Sequence, residues 1–161
     1  TIRDGAKNPL AAAVNAYVMQ DEARHVAFGR MALRDYYPEL SDKERDEREE
    51  FAIEASYLMR DRFQAEEVWE TLGLPVKDCV DHMVESGFET NYRNLLFSRI
   101  VPTMKDIGLW GPKMRKAYED MGVMGFADGD VEAMGEKDER AAIEIEERLG
   151  EIEQVAAGVK N

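Results

Sequence analysis

Apolar positions in the first quarter of this chain recur at steps of three and four residues, which is the period of one face of an α-helix. The run starts at Asn8-Pro9, a pair suited to a helix cap and first helical position. Pro38 ends it, because proline disfavours helix at its own position and at the one before. The positions in register are Leu10, Val14, Tyr17, Val18, Glu22, His25, Gly29 and Ala32. The pattern predicts one long helix that reaches Tyr36.

A second helix is predicted to begin after Ser41. Ser41 and Glu44 have the spacing of a capping box, in which each side chain bonds the backbone of the other residue. We expect this helix to stop near Gly73, and the short link at Pro38 makes it an antiparallel neighbour of the first. Its predicted apolar face consists of Phe51, Ala55, Leu58, Met59, Phe63, Val68 and Trp69.

The remaining periodic stretches are also helical. Residues 76–100 form a predicted third helix, loosened at Gly87, and a turn-rich connection begins at Pro102. A short helix is expected at 114–121 and a last one at 136–155. No stretch alternates with the period of a β-strand, and no repeat or linker divides the chain. The sequence predicts a single all-α domain spanning all 161 residues.

Composition narrows the class of protein. Apolar residues make up 44% and charged residues 34% of the chain, which is typical of a folded globular protein. The net charge is −13, from 34 acidic and 21 basic residues. Binding to nucleic acid requires clustered lysine and arginine, so we expect no nucleic-acid partner.

The single cysteine and the absence of long apolar runs indicate the compartment. Cys79 has no second cysteine to pair with, which fits a reducing environment. No cationic segment followed by an apolar run resembles a signal peptide, and no stretch approaches the roughly 20 apolar residues of a membrane span. The expectation is a cytoplasmic protein that does not enter a membrane.

Asp21-Glu22-Ala23-Arg24-His25 is the segment most informative about chemistry. Glu22 and His25 are three residues apart and project from one side of a helix, so they can share a metal ion. Carboxylate and imidazole together suit iron or manganese. A buried carboxylate without a partner would cost several kcal/mol, and a divalent cation offsets that cost. Asp21 and Arg24 are placed to orient the two ligands through hydrogen bonds.

A plainer interpretation is that Glu22, Arg24 and His25 form a surface patch of salt bridges. A Glu-x-x-His spacing is frequent by chance, so it needs a favourable setting. The setting here consists of the apolar residues Val14, Val18, Phe28 and Leu33. This setting favours the metal site.

Residues 21–29 closely resemble the second Glu-x-x-His helix of the ferritin-like di-iron superfamily, in its more specific form Asp-Glu-x-Arg-His. That superfamily includes the ribonucleotide reductase small subunit, bacterial multicomponent monooxygenases, arylamine N-oxygenases and rubrerythrins. The resemblance extends over residues 9–37. It implies a ferritin-like helical bundle in which Glu22 and His25 are iron ligands, with Asp21 and Arg24 supporting them.

The chain also departs from the family. This helix follows three other ligand-bearing helices in family members, but only about 21 residues precede the motif here. His82 has Cys79 three residues before it and so forms no second pair. The bundle is therefore expected to be incomplete within this chain. Either the chain is the C-terminal part of a longer enzyme, or a second chain in a homo-oligomer completes the site.

Glu54 is the candidate ligand for completion by a second chain. It lies in an apolar run and would fall near the level of Glu22 in an antiparallel hairpin. Two chains would then supply two glutamates and two Glu-x-x-His pairs. The alternative is a carboxylate at the helix edge, paired with Arg24.

The resemblance implies a di-iron or iron–manganese carboxylate oxidoreductase that activates dioxygen to oxidise an organic substrate. It assigns no catalytic residue beyond the metal ligands. Two other functions remain open: a ferritin-like iron-storage protein assembled from identical chains, and a non-catalytic helical fragment or interaction module that keeps the motif.

Overall fold

The computed structural model describes residues 9–140, 143, 144 and 147, and these residues form helices and turns without a β-strand. The predicted all-α class is thus confirmed. Among the same residues, no helix has both the length and the apolar character needed to cross a bilayer. The chain divides into two compact units, one of Thr1–Ala32 with Asp130–Asn161 and one of Leu33–Gly129.

The first unit contains most of helix α1, Pro9–Tyr36, and helix α7 at residues 131–140. Helix α1 ends at Tyr36 as predicted, and the predicted cap Asn8 lies outside the described residues. Helix α7 begins before the predicted residue 136 because Asp130 caps it, with its Oδ1 accepting from the backbone N–H of Ala133 at 2.9 Å. The rest of the predicted last helix, to residue 155, lies outside the described residues except at 143, 144 and 147.

The second unit consists of helices of 6 to 20 residues joined by turns. Its α-helices are α2 (Asp42–Asp61), α3 (Glu66–Thr71), α4 (Val76–Glu85), α5 (Phe88–Asp106) and α6 (Pro112–Asp120), with 3₁₀ turns at Tyr37–Glu39, Arg62–Gln64 and Met124–Phe126.

The predicted capping box at the start of α2 is present. Ser41 Oγ accepts from the Glu44 backbone N–H at 3.4 Å, and Glu44 Oε2 accepts from the Ser41 backbone N–H at 3.0 Å. Hydrogen bonds from the Ser41 hydroxyl and backbone lower the pKa of Glu44, because they favour the ionised carboxylate.

The core of the second unit forms where α5 meets α6. Phe97 and Val101 of α5 are fully buried with Met114 and Tyr118 of α6. The rings of Phe97 and Tyr118 meet edge to face, with centroids 6.2 Å apart and an interplanar angle of 70°.

Two predicted helices are interrupted by a residue in the left-handed conformation. The predicted second helix ends at Asp61, and Ala65 with φ of 52° separates α2 from α3. Trp69 stabilises this break by donating from Nε1 to the Gln64 carbonyl at 2.8 Å. In the third, Gly87 has φ of 73° and divides α4 from α5, a conformation that glycine adopts without steric cost.

Pro102 does not end a helix as predicted. Helix α5 continues through it to Asp106. Proline inside a helix costs about 3 kcal/mol, since it removes one hydrogen bond and crowds the preceding turn. Here Pro102 is buried beside Val101, and the apolar surface removed from water offsets that cost.

Helix α2 packs through a different face from the predicted one. Phe51 and Leu58, predicted to be buried, are exposed. The inward side chains include polar ones: Glu49 and Ser56 are buried. An apolar pattern alone does not identify this face, because its polar groups find partners inside the unit.

Glu49 connects α2 to the start of α6 through a hydrogen bond. Its carboxylate accepts from the backbone N–H of Gly111, the residue that precedes α6. A Cβ at position 111 would overlap this carboxylate, so a larger residue there would displace the Glu49 side chain. Lys113 bonds Asp46 at 2.7 Å and Glu50 at 2.6 Å, and these hydrogen bonds raise the Lys113 pKa above its usual range.

Replacing Glu49 with alanine is expected to destabilise the protein by about 1–3 kcal/mol, because it leaves a shielded backbone N–H of α6 without an acceptor. Urea denaturation measures this loss. Glu47→Ala is the matched control on the same helix, since Glu47 is exposed and only pairs with Lys43 at 3.8 Å. It should change stability by less than about 0.5 kcal/mol. Equal effects of the two variants would contradict the role of Glu49.

Tyr118 is expected to make stability fall at alkaline pH. Burial raises its pKa above 10.0, so the native state keeps the phenol neutral while the unfolded chain ionises. The stabilisation is complete below the unfolded pKa and is lost as pH rises through the folded one. Tyr118→Phe should therefore lose less urea resistance between pH 8 and pH 10.5 than the wild type. Tyr92→Phe, at an exposed tyrosine, should behave like the wild type. An identical pH dependence in all three proteins would refute this.

Candidate metal centre

Glu22 and His25 lie on adjacent turns near the middle of α1, as the sequence predicts. The separation between Glu22 Oε2 and His25 Nδ1 is 3.9 Å. This is too long for a hydrogen bond, so the two groups face each other without bonding.

The distance between these two atoms fits the binding of one cation. Metal bonds to imidazole nitrogen and carboxylate oxygen are about 2.1 Å long, so two ligands of one ion are at most about 4.2 Å apart. The observed 3.9 Å lies within that limit. Carboxylate and imidazole are also a donor set that iron and manganese accept. The pair therefore fits a metal ion as two of its ligands.

Asp21 and Arg24 pair with each other beside the two candidate ligands. Arg24 Nη1 lies 3.4 Å from Asp21 Oδ1. Both side chains are exposed, and a pair of this kind contributes little to stability.

Glu22 and His25 are exposed in this single chain, although the pattern predicts that they lie where packing is deepest. Their side chains are 68% and 75% accessible. Two apolar neighbours on the same helix, Val18 and Phe28, are exposed as well. In this single chain, the motif resembles the surface patch of salt bridges, which is its plainer interpretation.

Glu54 has a similar setting on α2 in the second unit. Its side chain is exposed and lies on the helix face of Phe51 and Leu58, which are 71% and 64% accessible. A carboxylate on an exposed apolar face is compatible with a metal ligand that a further helix would cover. The ligand role of Glu54 stays a prediction.

In the part of the chain that the structure describes, no three His, Cys, Asp or Glu side chains are grouped closely enough to hold a metal ion. Glu22 and His25 would thus supply two ligands where a closed site requires four or more.

The second histidine, His82, lies on α4 in the second unit. His82 of α4 lines an open groove together with Cys79, Trp69 and Met83. Sequence reasoning identifies the apolar residues around the motif, Val18 and Phe28 among them, but does not foresee that they are exposed.

Comparison with models of protein families, with curated proteins and with solved structures found no match to this chain. The resemblance to the di-iron superfamily therefore depends on the motif and its setting.

Proposed function

We propose that this chain supplies one Glu-x-x-His ligand pair of a di-iron carboxylate centre in a ferritin-like bundle. The assembled protein would be an oxidoreductase that activates dioxygen to oxidise an organic substrate. Iron is the expected metal, and manganese is compatible with the same ligands.

The observation that carries the proposal is the pairing of Glu22 with His25 within the run Asp-Glu-x-Arg-His on one helix. A separation of 3.9 Å between a carboxylate oxygen and an imidazole nitrogen suits a shared cation. The same spacing without an acidic residue before it and an arginine within it would be much weaker support.

Exposed apolar side chains support the incompleteness of the site. Val14, Val18 and Phe28 are between 53% and 71% accessible in the turns around the motif. A helix gains most of its stability by packing an apolar face against other elements. Further helices over this face would remove the apolar side chains from water and supply the missing ligands.

The residues of this chain have distinct roles in the proposed centre. Glu22 binds metal through its carboxylate, and His25 binds through its imidazole. Asp21 and Arg24, already paired, limit the orientations open to the ligands. The bound metal would supply the redox chemistry, while these side chains hold it and fix its position.

The exposure of the motif also supports a second candidate function, a non-catalytic helical module that retains these residues. Both the Asp21–Arg24 and the Glu22–His25 pairs are formed within α1 and need no metal to exist. This candidate differs from the first in one measurable property, the binding of iron.

In an anaerobic equilibrium measurement, the wild-type chain is expected to bind Fe(II) reversibly at the Glu22–His25 pair, and His25→Ala is expected to abolish this binding. The reason is that one of the two ligands of the pair is removed. Equilibrium dialysis against Fe(II) measures iron per protein, and Glu22→Gln should reduce it as well. Circular dichroism should remain unchanged, because the replaced side chains are exposed.

His82→Ala is the matched control, since the chain has two histidines and this one lies outside the motif. It should retain wild-type iron. Equal iron in wild type and His25→Ala would refute the assignment. No iron in the folded wild type would favour the non-catalytic module.

A further inference from the structure

A regular stripe of exposed side chains runs along α1. Its members follow one another at steps of three, four, three, four and three residues, the spacing of a helix–helix packing seam. They are Val14, Tyr17, Asp21, Arg24, Phe28 and Met31. All six are exposed in the structure. We call this surface the α1 stripe; it is about 26 Å long at the rise of an α-helix.

The α1 stripe is complementary to itself when reversed. Reading it from either end gives two apolar residues, a charged pair and two apolar residues. In an antiparallel pairing of two copies, Val14 of each chain would face Met31 of the other, and Tyr17 would face Phe28. Asp21 of each chain would then face the other chain's Arg24, so that opposite charges meet at both central positions.

We propose that the α1 stripe is a self-association surface that pairs two copies of this chain in an antiparallel, two-fold arrangement. The partner is a second copy because the match of apolar and charged positions is with the same stripe reversed. A parallel pairing would bring Asp21 against Asp21 and Arg24 against Arg24, which is repulsive. This inference is independent of metal binding.

The existing ion pair within the chain does not oppose this pairing. Asp21 and Arg24 are 3.4 Å apart and exposed, so their interaction is weak in water. Facing the partner chain, each would keep an opposite charge nearby while the flanking apolar residues leave water.

One consequence depends on the proposed function. The two-fold axis would cross the helices between residues 22 and 23, so Glu22 and His25 of both chains would lie within about one turn of it when measured along the helices. Both ligand pairs would then be at the same level along the paired helices.

Charge reversal tests the pairing in EDTA, with sedimentation over a concentration series as the readout. The wild type should dimerise. Asp21→Arg or Arg24→Asp alone should weaken the dimer about tenfold or more, since like charges then meet at both central positions. The double variant Asp21→Arg/Arg24→Asp should recover wild-type affinity. Mixing the two single variants should give a heterodimer, because one chain is then basic and the other acidic at these positions.

The outcomes separate the possible partners. A chain that stays monomeric at every concentration would overturn the proposal. The stripe would then be a surface for a different protein or for a further segment. A dimer that none of these charge changes affects would overturn it too, because the chains would then pair elsewhere. Unchanged circular dichroism keeps both results interpretable.

Cross-linking tests the orientation. In a Cys79→Ser background, a mixture of Val14→Cys and Met31→Cys chains should form a disulfide between chains under mild oxidation. Either variant alone should form much less, because the antiparallel pairing keeps position 14 of one chain about 26 Å from position 14 of the other. Preferential linking within each single variant would overturn the antiparallel arrangement.

Discussion

The exposed surface along the middle of α1 is the constraint on which the proposed metal site and the proposed self-association depend. A helix of 28 residues is stabilised mainly by what packs against it. Through its middle, α1 instead presents exposed apolar side chains together with a carboxylate and an imidazole. Covering this surface would do two things at once: it would remove the apolar groups from water, and it would place the ligand pair where a cation stabilises it. Under the proposed function, assembly would therefore favour metal binding, although the pairing of two chains does not itself require a metal.

The second unit shows how this chain arranges a surface that is covered. Its helices meet through apolar side chains from α5 and α6, yet their relative positions also depend on polar contacts. Glu49 binds the backbone at the start of α6, and Ser56 lies 3.5 Å from the hydroxyl of Tyr118. Buried polar groups of this kind are partnered inside the unit. By contrast, the side chains of Glu22 and His25 are exposed.

Sequence reasoning predicts the local features well where a short segment determines them. The all-α class, α1 and the capping box at Ser41 all follow from residues within a few turns of one another. The left-handed break at Ala65 and the passage of α5 through Pro102 depend on tertiary contacts that a linear pattern does not contain. The prediction of which face of α2 packs inward was wrong for the same reason. For the candidate site, the sequence brings Glu22 and His25 together correctly, but their exposure could be known only from the structure, because it depends on tertiary packing that a linear pattern does not contain.

The central claim is that Glu22 and His25 bind the same cation, and the two histidines of the chain allow it to be observed directly. In protein labelled with ¹⁵N at histidine, only the rings of His25 and His82 contribute imidazole signals. Titration with Fe(II) under anaerobic conditions should shift or broaden the His25 ring signals first, with His82 unaffected, and Glu22→Gln should move this response to higher metal concentration. Equal responses of both rings, or no response from His25, would contradict the account.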